Sequence, residues 1–350
     1  METVIIGLPS SGKTTIFNAL TGRSAPTGDS SAPGRQVHRA EVPVPDARID
    51  RLAELYRPRK TTYATVLFRD PPLTRLENDS LAPAGLGEAR KADAMTVVIR
   101  AFADESVHHP LKAVNPLRDL RAVLDSLVLA DQEVAERRLV RLAKEARRDG
   151  REHKLLRRAV DRLAEGRLLG RTFFAAEDEK LFAGFGFLTA KPIVAVLNDG
   201  ERAADHAAVE VEARERGIAV FCLRGDLEAE IAELDASEQT EFLRDLGASE
   251  PAKSRFLRHV YAHLDLVSFL TAGEPEVRAW SVLRGTTAAR GAGTIHSDLE
   301  KGFIRAEVAW WEDLLACGGW RGARKANKVR LEGRDYVLED GDAILVRFNV

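Results

Sequence analysis

Short, nearly uninterrupted apolar runs separated by polar, helix-like stretches dominate the first third of the chain. Thr3–Gly7, Glu41–Val44, Ala64–Arg69 and Met95–Ala101 read as strands, and the pattern resumes at Pro192–Leu197 and Gly217–Leu223. Runs of Val, Ile and Leu without polar alternation mark parallel strands buried on both faces. Between the first two runs, Lys13–Leu20 places Ile16, Phe17 and Leu20 on one helical face. The expected class is α/β, a doubly wound and mostly parallel sheet, with a segment inserted between its fourth and fifth strands.

The insert has a different period. Leu117, Leu120, Leu124, Leu127 and Val134 follow a heptad-like spacing that Asp131 interrupts. After Asp149-Gly150, the positions Leu156, Val160 and Leu163 continue on a second helix. This pattern predicts an antiparallel, coiled-coil-like α-helical hairpin over residues 116–166. From Arg137 to Arg171 the hairpin carries 13 Lys/Arg against 5 Asp/Glu. A solvated arm and a paddle for phosphate-rich surfaces such as RNA both fit that excess. Beyond Ser268 short alternating segments appear at Val277–Leu283, Phe303–Val308, Lys328–Leu331 and Ala343–Phe348, with one helix-like stretch at Trp311–Cys317. They predict a small α+β domain, a curved sheet on a helix. The expected boundaries are 1–112 with 185–266 for the parallel-sheet domain, 113–184 for the hairpin and 267–350 for the last domain.

Composition narrows the setting. A chain of 350 residues suits two or three domains, and 45% hydrophobic with 30% charged residues is globular rather than disordered. A net charge of −2 gives no global attraction to nucleic acid, so any such binding needs a local patch. Cys222 and Cys317 have no metal-ligand spacing and suit a reducing compartment; Cys222 is expected as a small apolar residue ending a buried strand. No apolar run approaches the ~20 residues that cross a bilayer. With a core strand starting directly after Met1, a cytoplasmic protein is expected.

The chemistry is concentrated at the amino terminus. Gly7-Leu8-Pro9-Ser10-Ser11-Gly12-Lys13-Thr14 matches G-x-x-x-x-G-K-[ST] between a strand and a helix, the context in which main-chain N–H groups cradle a polyphosphate. Gly7 and Gly12 let the loop curl, with Pro9, Ser10, Ser11 and Thr15 completing the cradle. Lys13 supplies charge to the β- and γ-oxygens, and Thr14 offers a hydroxyl to Mg²⁺. Asp70 ends an apolar strand and is the candidate second Mg²⁺ contact; a helix cap or turn former is its alternative. Lys13, Thr14 and Asp70 are thus the candidate catalytic set. Asn198-Asp199-Gly200-Glu201 follows another strand at the sheet's carboxyl edge, and Asn198, Glu201 and the neighbouring strand end Leu223 are candidate base contacts. Guanine-specific sites read Asn-Lys-x-Asp. Here the Lys is missing and Glu replaces Asp, which displaces the carboxylate, so strict guanine specificity is not expected. His296 reads as a hydrogen-bonded turn residue. No Ser/His/Asp or Cys/His set assembles, and a phosphate-loop kinase finds no arginine-rich lid.

These residues resemble the YchF/Obg-like ATPase family of translation-factor-class GTPases almost end to end. The resemblance rests on residues 7–15 with Phe17-Asn18-Ala19-Leu20, Val42-Pro-Val-Pro-Asp46, Arg48-Ile-Asp-Arg-Leu52, Leu129-Ala-Asp131, Leu188-Thr-Ala-Lys-Pro192 and Asn198-x-x-Glu201. It continues through Val277-Arg-Ala-Trp-Ser281, Glu300–Glu307, Leu331–Val337 and Phe348-Asn-Val350. It implies a P-loop G domain, an inserted coiled-coil hairpin, a β-grasp TGS domain, ATP accepted as well as or better than GTP, and association with ribosomes. Two departures stand out. The family's first-switch Thr is absent: Ser31–His38 has Gly34 near that position, and no Thr lies between Thr27 and Thr61. The second switch, normally Asp-x-x-Gly, reads Asp70-Pro71-Pro72-Leu73, and proline has no N–H for a γ-phosphate. Two functions are compatible with this set. One is a slow ATPase/GTPase with a ribosome- or RNA-associated regulatory role, and the other is a hydrolysis-deficient, nucleotide-binding adaptor.

Overall fold

The computed structural model describes residues 1–22, 25, 37–72, 76–77, 80–81, 86–145, 150–201 and 206–349. Gly34, the remainder of 26–36, and Arg147 and Arg148 lie outside the described residues. The chain divides into two compact units: Glu2–Glu41 with Leu67–Arg255, and Met1, Val42–Val66 with Phe256–Val350.

The first unit is built on a sheet of order β2-β4-β1-β7-β8-β9. Its strands, numbered in chain order, are β1 (Glu2–Ile6), β2 (His38–Pro43), β4 (Thr65–Asp70), β7 (Ala94–Arg100), β8 (Ile193–Asn198) and β9 (Ala219–Leu223). β1 lies parallel between β4 and β7, and β8 and β9 follow in parallel, with Val97 opposite Ala195 and Leu197 opposite Cys222. The predicted strands are present within one or two residues at most ends, and the insert does leave after the fourth of them. Cys222 departs from expectation. β9 is the outermost strand, so the thiol is exposed rather than at the end of a buried strand.

Helices α1 (Lys13–Thr21), α3 (Gly87–Lys91), α7 (Ala207–Glu215), α8 (Gly225–Glu233) and α9 (Ala236–Asp245) accompany this sheet, with a small hairpin of β5 (Leu76–Glu77) and β6 (Ser80–Leu81). The arm is α4 (Pro116–Lys144) and α5 (Arg151–Ala164), followed by the short α6 (Glu179–Phe182). The heptad-like row does not all serve the helical pair. Leu120, Leu124 and Leu127 join Val4, Ile6, Val97, Ile99 and Leu197 in the sheet's own core, with Leu117 packed against it. Only from Val128 onward does α4 bury residues against α5, through Ala135 and Leu142 with Leu156, Ala159 and Leu163. The root of the arm is therefore a sheet-packing helix, and the heptad spacing reports two successive partners.

Asp131, the residue that breaks the row, explains two of the sequence motifs. It is fully buried, and its carboxylate accepts from Leu188 N (3.0 Å), Thr189 N (2.7 Å), Thr189 Oγ1 (2.8 Å) and Arg90 Nη1 (2.9 Å). Lys191 Nζ donates to the carbonyls of Arg90 (3.0 Å) and Ala92 at the end of α3. Burial lowers the pKa of Lys191.

In the second unit the sheet order is β13-β12-β14-β10-β11-β3, with β10 (Leu266–Ala272), β11 (Glu276–Leu283), β12 (Phe303–Trp310), β13 (Arg330–Glu332) and β14 (Asp342–Phe348). Helix α10 (Ala252–His263) leads into it, and α11 (Ala288–Ile295), α12 (Ser297–Lys301), α13 (Trp311–Ala316) and α14 (Trp320–Lys325) belong to it. Phe269, Val282, Ala288, Ala292, Val308, Leu338 and Ile344 form its core. Residues 42–66, read from the sequence with the parallel-sheet domain, supply α2 (Ala47–Tyr56) and β3 (Lys60–Thr62), and β3 pairs parallel to Glu276–Arg278. The Val-Pro-Val-Pro-Asp motif acts here. Asp46 caps α2, accepting from Arg48 N (3.0 Å), and Arg48 Nη1 reaches Asp340 (2.9 Å), whose other oxygen accepts from Ser268 N (2.8 Å).

Candidate functional site: a phosphate loop at the sheet's carboxyl edge

Parallel strands ending at one edge leave a crevice there, and α1 starts directly above it. The loop between β1 and α1 is shaped by two glycines. Gly7 has φ +153°, and a Cβ there would collide with the Val98 carbonyl. Gly12, the N-terminal boundary of α1, has φ +86°, and a Cβ would strike the Asn198 amide. Ser10, exposed at the tip, takes a left-handed φ of 58°. Ser11 is buried, with an Oγ that has no hydrogen-bond partner among the described residues, and its N–H donates to Leu8 O at 3.3 Å. Lys13 is buried, its ammonium donating to Leu8 O at 2.8 Å. The lysine thus closes over the loop it must serve. Pro9 and Thr15 are half-buried beside it.

Thr14 and Asp70, the two candidate Mg²⁺ contacts, meet. Thr14 Oγ1 donates to Asp70 Oδ2 at 2.9 Å, although 56 residues separate them. Asp70 is buried at the end of β4, followed by buried Pro71 and half-buried Pro72. A hydroxyl and a carboxylate side by side are two hard oxygen donors, the set Mg²⁺ takes.

Asn198 is also buried, but its amide is occupied. Nδ2 donates to Ser11 O (3.2 Å), and Oδ1 accepts from Gly225 N (3.1 Å) at the start of α8. It therefore ties the phosphate loop to the next βα turn. Leu223 is buried and acts through its main chain, where its carbonyl accepts from Asp199 N at 3.0 Å. The Asp199 carboxylate in turn pairs with His206 Nε2 at 2.9 Å. Glu201 is exposed on the same rim, leaving its carboxylate in solvent. Among the candidates, Glu201 and Ser10 are those that present themselves outward.

The sequence reading missed two features. Phe102 follows β7 at the same edge, with its ring edge towards the phosphate loop and its Cα and Cβ against the loop after β8. A Cβ on Gly12 would come 3.7 Å from Phe102 Cε1, and one on Gly200 would come 3.2 Å from Phe102 Cβ. Its place after a central strand, level with the phosphate loop and Asn198, was the available signal. Behind the loop, His109 Nε2 donates to Asp119 Oδ2 at 2.9 Å. The other ring nitrogen accepts from Leu111 N (3.1 Å), which fixes this tautomer. Asp119 also takes two bonds from Arg118 (3.0 and 2.7 Å). His296, outside the site, accepts from Asp298 N at 3.2 Å and caps a short helix, as a turn residue does. Among the described residues no group of His, Cys, Asp and Glu could hold a metal by itself, and no helix is long and apolar enough to cross a membrane.

Residues 2–55 match the family MMR_HSR1, described as 50S ribosome-binding GTPase, and residues 266–349 match YchF-GTPase_C, described as a protein of unknown function. The chain is 38% identical to the ribosome-binding ATPase YchF of Bacillus subtilis over 99% of its own length and 98% of the relative's. It is 32% identical to Obg-like ATPase 1 of Oryza sativa, over 99% and 91%. The structure of the Schizosaccharomyces pombe YchF GTPase superposes with a TM-score of 0.84 at 26% identity, covering 99% of this chain and 97% of that one. Fold and loop together define a P-loop nucleotide-binding protein of the α/β class. The chain belongs to the YchF family.

Proposed function

We propose that this protein binds ATP or GTP on residues 7–15 and hydrolyses it slowly, in a cytoplasmic, ribosome-associated regulatory role. The observation that carries the reading is the 2.9 Å pairing of Thr14 with Asp70 under a loop whose glycines admit no side chain. Those two residues would hold Mg²⁺, which when bound neutralises charge on the β- and γ-oxygens. The loop's main-chain N–H groups and the N-terminus of α1 receive the phosphates, and Lys13 moves from Leu8 O to a phosphate oxygen. Hydrolysis then adds a water oxygen to the γ-phosphorus as the bond to the β–γ bridging oxygen breaks. Pre-positioned charge, not covalent chemistry, supplies the acceleration.

At the base, Phe102 offers an apolar wall and Glu201 an acceptor on the rim, while Asn198 fixes the loop from behind. A glutamate in place of the guanine-reading aspartate favours acceptance of adenine. ATP is expected to bind within about threefold of GTP, and a hundredfold GTP preference, about 2.7 kcal/mol, would refute this account of the base site.

The relatives' printed names, ribosome-binding ATPase among them, support the ribosomal association. The arm supplies a surface for it. Arg138 is spent on Glu152 (2.6 Å) and Arg151 on Asp178 (2.7 Å), but Arg141, Lys144, Lys154, Arg157 and Arg158 are exposed. One observation favours the adaptor as second reading. Pro71 and Pro72 directly follow Asp70 and give the γ-phosphate no N–H, which weakens any coupling of nucleotide state to conformation. Single-turnover hydrolysis by the wild type and Lys13→Ala separates the two. A slow rate that disappears with Lys13 is expected. Tight binding with a wild-type rate no faster than the uncatalysed reaction would establish the adaptor.

A further inference from the structure

Arg100, the last residue of β7, is only 2% exposed, although its guanidinium is charged. Burial of such a group is costly unless its donors are met. Here three main-chain carbonyls of one loop meet them: Nε donates to Phe102 O (3.2 Å), Nη2 to Asp104 O (2.9 Å) and Nη1 to Val107 O (3.0 Å). The same guanidinium lies 4.5 Å from the centroid of the Phe102 ring. The loop is tightened further by Asp104, whose carboxylate accepts from Ser106 N (2.8 Å) and Ser106 Oγ (2.6 Å). Arg100 therefore holds the main chain at Phe102 and in the loop that follows it, and stands against the ring itself.

The ring so held is the one whose edge faces Gly12 of the phosphate loop, while the Cα and Cβ that carry it lie against Gly200 of the base loop. We propose that Arg100 is a positioning residue for the nucleobase: its three-carbonyl clamp fixes Phe102 as a wall of the purine site, so that the base adds to affinity although Arg100 touches no ligand. The proposal rests on the nucleotide reading above and adds a residue with a separable role. A planar fork with five N–H donors spans three carbonyls and stacks on a ring at once, whereas a lysine ammonium delivers its donors from one point. Arg100 makes no hydrogen bond to the phosphate loop among those described, so the phosphate and base halves of the site are held by different residues.

This separation is the test. Affinities for ATP and for inorganic tripolyphosphate are measured by calorimetric titration on the full chain for wild type, Arg100→Lys, Phe102→Ala and the double variant. Arg100→Lys is expected to weaken ATP about tenfold while tripolyphosphate stays within about twofold, with no further loss when it is added to Phe102→Ala. Equal weakening of both ligands would make Arg100 a general structural residue and overturn the proposal, as would unchanged ATP affinity. Phe102 is half-exposed, so Phe102→Ala is the arm least at risk of misfolding. It must show the same selective loss, and its failure to do so overturns the proposal even where Arg100→Lys does not fold. A wild type that binds neither ligand would instead remove the nucleotide reading itself.

Discussion

Gly12 shows how narrowly the site is specified at the level of single atoms. Its left-handed backbone and the Asn198 amide standing where a Cβ would be are two independent reasons for glycine. Gly12→Ala is expected to cost about 1–2 kcal/mol through the backbone alone, and to displace the Asn198 tie to Ser11. Nucleotide affinity should fall about tenfold or more, read by titration against a thermal-melting control. An alanine variant with wild-type affinity would show that this contact does not shape the loop. At the same scale the sequence was informative about residues whose chemistry is carried by a contiguous motif. It singled out Thr14 from the motif and Asp70 from the end of a second strand, and the structure pairs the two at 2.9 Å. It did not show that Asn198 spends both ends of its amide inside the protein, nor that Phe102 faces Gly12, because both depend on which strand ends become neighbours.

Among elements, α4 carries two jobs that its sequence periodicity merged. Its first half covers the sheet and its second half pairs with α5, and Asp131 sits where the partner changes. That carboxylate gathers four hydrogen bonds in a fully buried position. Removing it strands the Arg90 bond and two main-chain donors, and Asp131→Ala is expected to destabilise the fold by about 3 kcal/mol, measured by denaturant unfolding. A loss under about 1 kcal/mol would mean the donors find other acceptors.

A second element-scale expectation concerns β12 and β14. Glu307 on β12 is 3% exposed. Burial works against its charge, but Arg347 (3.0 Å) and Arg324 (2.8 Å) outweigh that, and its pKa lies below the ordinary 4.5. A depressed carboxyl contributes stability that is complete above the unfolded value and is lost as pH falls through the folded one. The C-terminal unit should therefore lose stability below pH 4.5, and Glu307→Gln should flatten that acid limb. An unchanged acid limb in the variant would refute the assignment. Parallel strands were legible as apolar runs, whereas β3, three polar-flanked residues pairing more than 200 positions away, carried no local signal.

For the whole molecule, residues 42–66 leave the parallel sheet through β2, build α2 and β3 into the other unit, and return through β4 to Asp70. The sequence placed them with the nucleotide-binding half, since strands adjacent in the chain are usually adjacent in space. The arm's exposed charge belongs to this scale too. Charge reversal at Arg157 and Arg158, together with Arg147 and Arg148 outside the described residues, should weaken co-sedimentation with ribosomes and reduce its salt dependence. Unaltered sedimentation would return the arm to a merely solvated surface. The central claim, that the loop at residues 7–15 grips a nucleoside triphosphate with Mg²⁺, is tested most directly by titrating ATP into wild type and Lys13→Ala, with and without the metal. The account predicts saturable binding that Mg²⁺ strengthens and Lys13→Ala abolishes; a folded wild type that binds no ATP at millimolar concentration would contradict it.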